Sequence, residues 1–188
     1  LALAGASYAG ELTSGVEISG GENSFSVLRL ERADGPQEDG LLKLHAVLDQ
    51  AKSLKGYGFV LEFDSAKYEL VKASEIEGNM LETGTGQPPL FISSNRTPGQ
   101  VAVGAMTVDG EGVDGAGKLV EFTFRTVEVP VPSDFQIGEG VLVDLNGNID
   151  AIHHIEVGNL KPTPDSFGLD QNMPNPFRGG TTVRYEIP

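Results

Sequence analysis

The chain is written in short stretches whose apolar residues recur at every second position, and turn residues close each stretch. Leu42, Leu44, Ala46 and Leu48 alternate through 41–49, and Tyr57, Phe59, Leu61 and Phe63 through 57–64. Successive strand side chains point to opposite faces, so each run offers one oily face to a core. Stretches 101–108 and 119–129 are rich in β-branched and aromatic residues, with Val120, Phe122 and Phe124 in phase; 25–30 and 141–145 are shorter candidates. Between them lie Asp34-Gly35, Asp39-Gly40, Pro98-Gly99, Asp109-Gly110, Asp114-Gly115 and Asn146-Gly147. Asn146-Gly147 predicts a hairpin between 141–145 and 148–152, with both residues at positive φ. Helical spacing is confined to 73–81, where Gly78 interrupts it. Many short strands and little helix predict an all-β fold, a two-sheet sandwich of the jelly-roll or immunoglobulin-like kind.

Composition shifts at 159–166, where Pro162 and Pro164 stand in a polar stretch and predict an extended linker. The expected organisation is therefore N-terminal strands or an extension over 1–40, the sandwich over 41–158, the linker, and a separate unit over 167–188 containing a single strand. The opening stretch Leu1 to Ala9 reads either as the end of a signal peptide, cut after Ser7-Tyr8-Ala9, or as a mature N-terminal strand. Both suit export.

A net charge of −14 argues against nucleic acid or anionic lipid as a partner, since both need Lys/Arg patches. No run reaches the roughly 18 apolar residues of a transmembrane helix. With no cysteine, disulfides, thiolate nucleophiles and Cys-based zinc sites are excluded.

Asp144, Asn146, Asn148 and Asp150 place oxygen-bearing side chains at alternate positions, a spacing like that of a calcium loop. Yet Gly147 is fourth rather than sixth, and Ile155 stands where the twelfth position needs a bidentate carboxylate. The plain hairpin is the stronger reading, with calcium as the one cofactor considered. Asp109, Glu111 and Asp114 read as a solvated loop. His153 and His154 are adjacent and would point to opposite faces of a strand, and His45 lies on the polar side of its strand. No nucleophile elbow, zinc-protease motif or phosphate-binding glycine loop is present, so no enzyme activity is expected.

Two family resemblances add to this. The tail Phe167-Gly168-Leu169-Asp170-Gln171-Asn172-Met173-Pro174-Asn175-Pro176-Phe177, followed by Thr181-Thr182-Val183-Arg184-Tyr185-Glu186-Ile187-Pro188, resembles the start of the type IX secretion C-terminal sorting domain. Met173 replaces the usual aromatic, and Arg178-Gly179-Gly180 replaces a common Asn-Pro turn. The resemblance implies export across an outer membrane and residence outside the cell or at a bacterial cell surface. That family continues for several further strands, whereas here one strand remains. A lone strand leaves its backbone groups and oily face unsatisfied. Either the family's further strands were removed or are not seen in this sequence, or Thr181, Val183, Tyr185 and Ile187 are partner-binding residues, donated to a neighbouring subunit's sheet in a head-to-tail filament.

The body, from Leu54-Lys55-Gly56-Tyr57-Gly58-Phe59-Val60-Leu61-Glu62-Phe63-Asp64 to Leu70 and again from Asp109-Gly110 to Phe124, resembles a cohesin-like domain. Phe63 and Tyr68 stand where that pattern has Tyr and Leu. The resemblance implies a nine-stranded jelly roll that binds proteins. The expected function is an exported, non-enzymatic structural or interaction protein that associates with itself or with another secreted protein. The alternative is a cohesin-type protein-binding or carbohydrate-binding module of a larger secreted enzyme or scaffold. Carbohydrate platforms favour exposed aromatics, and Trp is absent with only 4 Tyr.

Overall fold

A computed structural model describes residues 21–33, 40–108, 111–126 and 128–160, with 168–169, 182 and 185–186 of the tail. The expectations for Leu1 to Ala9 and for Asp109 lie outside the described residues. The strands are β1 (Val27–Arg32), β2 (Leu41–Phe63), β3 (Glu69–Glu75), β4 (Leu90–Ser94), β5 (Gln100–Met106), β6 (Val113–Arg125), β7 (Phe135–Asp144), β8 (Ile149–Ala151) and β9 (His154–Val157). One short helix, α1 (Met80–Thr85), and 3-10 turns at Glu22–Phe25 and Pro132–Asp134 complete the body.

The organising element is β2. Its two alternating runs, expected as separate strands, form one 23-residue strand that serves both layers. Its first half pairs with β1 and β6, and its second half pairs with β5 and β7. The corner lies at Gln50 and Ser53, whose φ values are 59° and 47°. There the ladder with β6 slips twice, between Leu48 and Ala51 and again before Leu54. Such irregularities bend a strand and let it pass between packed sheets. Asp114 holds the corner by accepting a hydrogen bond from the Ser53 amide at 2.7 Å. Gly112 lies so close that a Cβ would sit 2.4 Å from the Ser53 carbonyl, so only glycine fits.

The outcome is two layers, β3-β6-β2-β1-β9 and β4-β5-β2-β7-β8, sharing β2. The alternating sets face inward as expected: Leu42, Leu44, Ala46, Leu48, Tyr57, Phe59, Leu61, Val120, Phe122 and Phe124 are all buried. Aromatic rings tie the layers together. Phe63 meets Phe124 edge-on at 4.9 Å, Tyr68 meets Phe135 at 4.7 Å, and Phe59 meets Phe122 at 6.3 Å. A fully buried ring of this kind contributes about 1.5–3 kcal/mol, and the edge-to-face pairs Phe63–Phe124 and Phe59–Phe122 add somewhat more.

Two local readings change. The 73–81 stretch is not helical at its start: Ala73 pairs with Phe122 in the β3–β6 ladder, and that pairing overrides helical spacing. The helix begins at Met80, capped by the Asn79 side chain on the Glu82 amide, while Glu82 reaches back to the Gly78 amide. The Asn146-Gly147 hairpin forms, but Gly147 alone has positive φ, at 82°. The Gly147 amide bonds the Asp144 carbonyl, and the Asp144 amide bonds the Asn148 carbonyl. This is a type I turn closed by a glycine bulge.

At the ends of the sandwich, β1 pairs with β2 and, in parallel, with β9, so 27–32 belongs to the first layer. Leu160, expected in the linker, is fully buried, and its carbonyl accepts from Arg32 at 3.2 Å. In the tail, Gly168–Leu169 (β10) pairs antiparallel with Tyr185–Glu186 (β11). Tyr185, expected on a strand without a partner in its own chain, thus has a short ladder within it. Thr182 is exposed, and Thr181, Val183 and Ile187 lie outside the described residues.

Candidate protein-docking face

The two layers present different outer faces. On the first, charges pair across strands: Arg29 with Asp49 at 2.7 Å, Lys43 with Glu121 at 3.5 Å, and Arg125 with Glu69 at 2.6 Å. His45, which sequence reading left without a partner, meets Glu121 at 3.2 Å across the β2–β6 ladder. This face is lined with ion pairs, and His45 is buried beneath them.

On the second layer the strand registers align two outward rows that carry no charge. One runs Leu90, Met106, Gly56, Val143, Ile149; the other runs Ile92, Gly104, Gly58, Val141, Ala151. Alternation forces this placement, because Tyr57, Phe59, Val103, Ala105 and Leu142 fill the core from the same strands. Leu90, Ile92 and Met106 are 66%, 73% and 53% exposed. Beside them the glycines form a low floor. A Cβ at Gly58 would find only ordinary contacts, at 3.8 Å and beyond, whereas one at Gly56 would press on the Ala105 carbonyl at 2.9 Å. At one end the face falls into an open groove of about 570 Å³, lined by Leu90, Met106, Val108, Leu145 and Asp144. Adjoining apolar residues of this kind on an exposed sheet make this face the candidate interaction surface. Met106 adds a side chain that adapts its shape to what covers it.

Of the four calcium candidates, Asp144, Asn146 and Asn148 share one turn, whereas Asp150 lies apart from them. Asp144 Oδ1 accepts the amides of Asn146 and Asn148, both at 2.8 Å, and its Oδ2 accepts Asn148 Nδ2 at 2.7 Å. Burial alone would raise the Asp144 carboxyl, but these bonds outweigh it and hold the group below its ordinary value. Asp150 is fully buried and points elsewhere. Its oxygens accept the amides of Gly21 at 2.5 Å and Asn23 at 3.1 Å. Among the described residues no group of three or more His, Cys, Asp or Glu is placed to hold a metal ion. His153 and His154 are exposed. Among the described residues, too, no helix is long and apolar enough to cross a membrane.

Sequence reading missed this face because its members are glycines, valines and single aliphatic residues spread from Gly56 to Ala151. The available signal was what alternated with the core positions: Gly56, Gly58 and Gly104 leave no charged residue between the oily ones.

No protein-family model matches the sequence, and no curated protein matches it. Among solved structures, the chain is similar to a non-cellulosomal cohesin from the archaeon Archaeoglobus fulgidus. Identity is 16% and the TM-score 0.51, over 70% of this chain and 86% of that one. It is similar to the second type II cohesin module of the adaptor ScaA scaffoldin of Acetivibrio cellulolyticus, with 11% identity and a TM-score of 0.55 over 74% and 98% of the two chains. It is also similar to a structure of a type II cohesin-X-dockerin complex from Acetivibrio cellulolyticus, at 11% identity and a TM-score of 0.54 over 71% and 96%. The fold is that of an all-β, cohesin-like sandwich.

Proposed function

We propose that this chain is an exported protein-binding module that docks a partner on the outer face of β4, β5, the second half of β2, and β7. The observation that carries this reading is the pair of uncharged rows on a chain of net charge −14 whose opposite face is laced with ion pairs. The cohesin-like fold supports it, since one similar structure is a complex with a dockerin. Export is supported by the tail motif from Phe167 to Pro188. The partner presents an apolar surface, with charge confined to its rim.

The test sets Gly58→Glu, which plants a carboxylate at the centre of the face where a side chain fits, beside Lys43→Glu on the opposite layer. Proteins captured by the immobilised chain from the host's extracellular fraction are purified and titrated against both variants. A partner of this face loses affinity at least about 100-fold on Gly58→Glu and little on Lys43→Glu. The reverse order refutes the assignment.

A further inference from the structure

Open sheet edges are pairing templates, and folded proteins blunt them with charge, shortness or a cover. Among the described residues the two layers have four edges, and three of them are blunted. The β3 edge carries Glu69, Lys72 and Glu75, and the β9 edge carries His154 and Glu156. The β8 edge is three residues long and lies against the 3-10 turn, whose amides bond Asp150. The fourth is β4, Leu-Phe-Ile-Ser-Ser, which pairs only with β5 among the described residues. It holds no charge, proline or bulge, and Leu90, Ile92 and Ser93 are exposed.

We infer that β4 pairs with β4 of a second copy of this chain, antiparallel about a twofold axis centred on Ile92. In that register all five residues pair: Ile92 meets its own counterpart, Leu90 meets Ser94, and Phe91 meets Ser93. Twofold pairing sets each central residue against itself, so a charged edge would oppose its own charge. On a chain of net charge −14, β4 is the edge that escapes this. Edge pairing also keeps the sheet continuous. The Ile92 row runs on across the axis into its counterpart, and both docking faces point the same way, which makes the pair bivalent for a clustered partner.

Five residues a side bury far less than the roughly 800 Å² per partner of a standard interface, so the dimer is weak and concentration-dependent. Two copies of net charge −14 repel over about 30 Å at 0.01 M salt but only about 8 Å at 0.15 M, so association strengthens as salt rises.

Because the chain has no cysteine, single-cysteine variants of the full chain report the geometry cleanly. With oxidised glutathione as oxidant, Ile92→Cys places two thiols across the axis within disulfide reach. Gly58→Cys leaves them about 24 Å apart, given strand spacings of about 4.8 Å. The expected result is a disulfide-linked dimer that accumulates at least about tenfold faster for Ile92→Cys. Sedimentation equilibrium should also show a monomer–dimer balance that shifts toward dimer with salt and is abolished by Ile92→Lys, with its thermal midpoint retained. Equal rates for the two cysteines, or unchanged association of Ile92→Lys, overturn the pairing. So does a chain that stays monomeric at millimolar concentration while a peptide of residues 181–188 protects Ile92→Cys from alkylation, which assigns the edge to the tail strand instead. Partner capture is read separately, on Gly58→Glu at concentrations where the chain is monomeric, so either inference can fail alone.

Discussion

Replacing Asp150 with alanine tests how the N-terminal turn is fastened to the sandwich. The Asp150 side chain is fully buried on β8 and accepts two backbone amides, Gly21 at 2.5 Å and Asn23 at 3.1 Å. Asn23 is itself buried and continues the chain of bonds: its Oδ1 accepts the Lys52 amide at 2.8 Å, and its Nδ2 donates to the Lys52 carbonyl at 3.0 Å. A hydrogen bond to a charged group contributes about 1.5–3 kcal/mol, and an amide left buried without a partner costs a comparable amount. Residues 21–26 form a surface turn that can open to water and recover part of this. The net loss for Asp150→Ala is therefore about 2–4 kcal/mol. At about 2–4 °C per kcal/mol for a chain this long, the melting temperature falls by about 5–15 °C. Asp150→Asn keeps one acceptor and should lie between the two. Urea unfolding gives the free energies, and hydrogen exchange at Asn23 and Lys52 locates the loss. A change under about 0.5 kcal/mol, with protection at Lys52 unaltered, refutes the fastening role.

The floor of the docking face gives a pair of opposed outcomes by thermal unfolding. Gly58→Ala should stabilise by about 0.5–1 kcal/mol, because glycine is the more flexible residue when unfolded and the added Cβ meets nothing closer than 3.8 Å. Gly56→Ala should destabilise by about 1–3 kcal/mol, because its Cβ would sit 2.9 Å from the Ala105 carbonyl. Asp134 accepts Lys67 Nζ at 2.8 Å and the Tyr68 hydroxyl at 2.7 Å, and these bonds, that from Lys67 first, hold its carboxyl below the usual range despite burial. A lowered folded-state value means its stabilisation is complete above the unfolded value of about 3.9 and is lost as pH falls beneath it. Asp134→Asn should therefore flatten the dependence of the urea midpoint on pH below about pH 4, and an unchanged slope counts against the clamp. Phe122→Ala, which removes a fully buried ring lying between Phe59 and Phe124, should cost about 3–5 kcal/mol in urea unfolding.

The inward faces were legible because burial on one side of a strand leaves a period of two, and Leu42 to Leu48 and Tyr57 to Phe63 keep it without a break. What joined them was not legible. The corner at Gln50 and Ser53 depends on Asp114 and Gly112, some 60 residues further on, which reach back to fix the bend. Asp150 reads as one of several oxygens around a turn, yet its partners are 129 and 127 positions away. Asn146-Gly147 announced its hairpin correctly. The turn type was decided by Asp144, whose carboxylate captures the amides of Asn146 and Asn148 and leaves Asn146 no need of positive φ. The docking face escaped for a different reason. It is a property of rows that cross strands, and such rows exist only once the β2–β5, β2–β7 and β4–β5 registers are set.

Stability alone does not account for those rows. Gly58 lies in a paired strand with room for a Cβ, and there glycine costs about 0.5–1 kcal/mol relative to alanine. Leu90, Ile92 and Met106 stand largely in water and gain little from burial. The first layer shows that this fold tolerates ordinary charge on an outer face, since Arg29, Lys43, Glu121 and Asp49 sit there in pairs. A chain of net charge −14 has carboxylates to spare for its second layer, yet ten consecutive cross-strand positions hold none. On the proposed function, a flat, neutral floor with three raised apolar residues at one margin carries a cost in the free monomer that a partner's apolar surface offsets on docking. Substitutions that stabilise the monomer at Gly58 should therefore weaken the complex in proportion to the bulk they add. A series of alanine, valine and leucine at that position separates the two roles, and a complex that tightened along it would show that nothing docks on this floor.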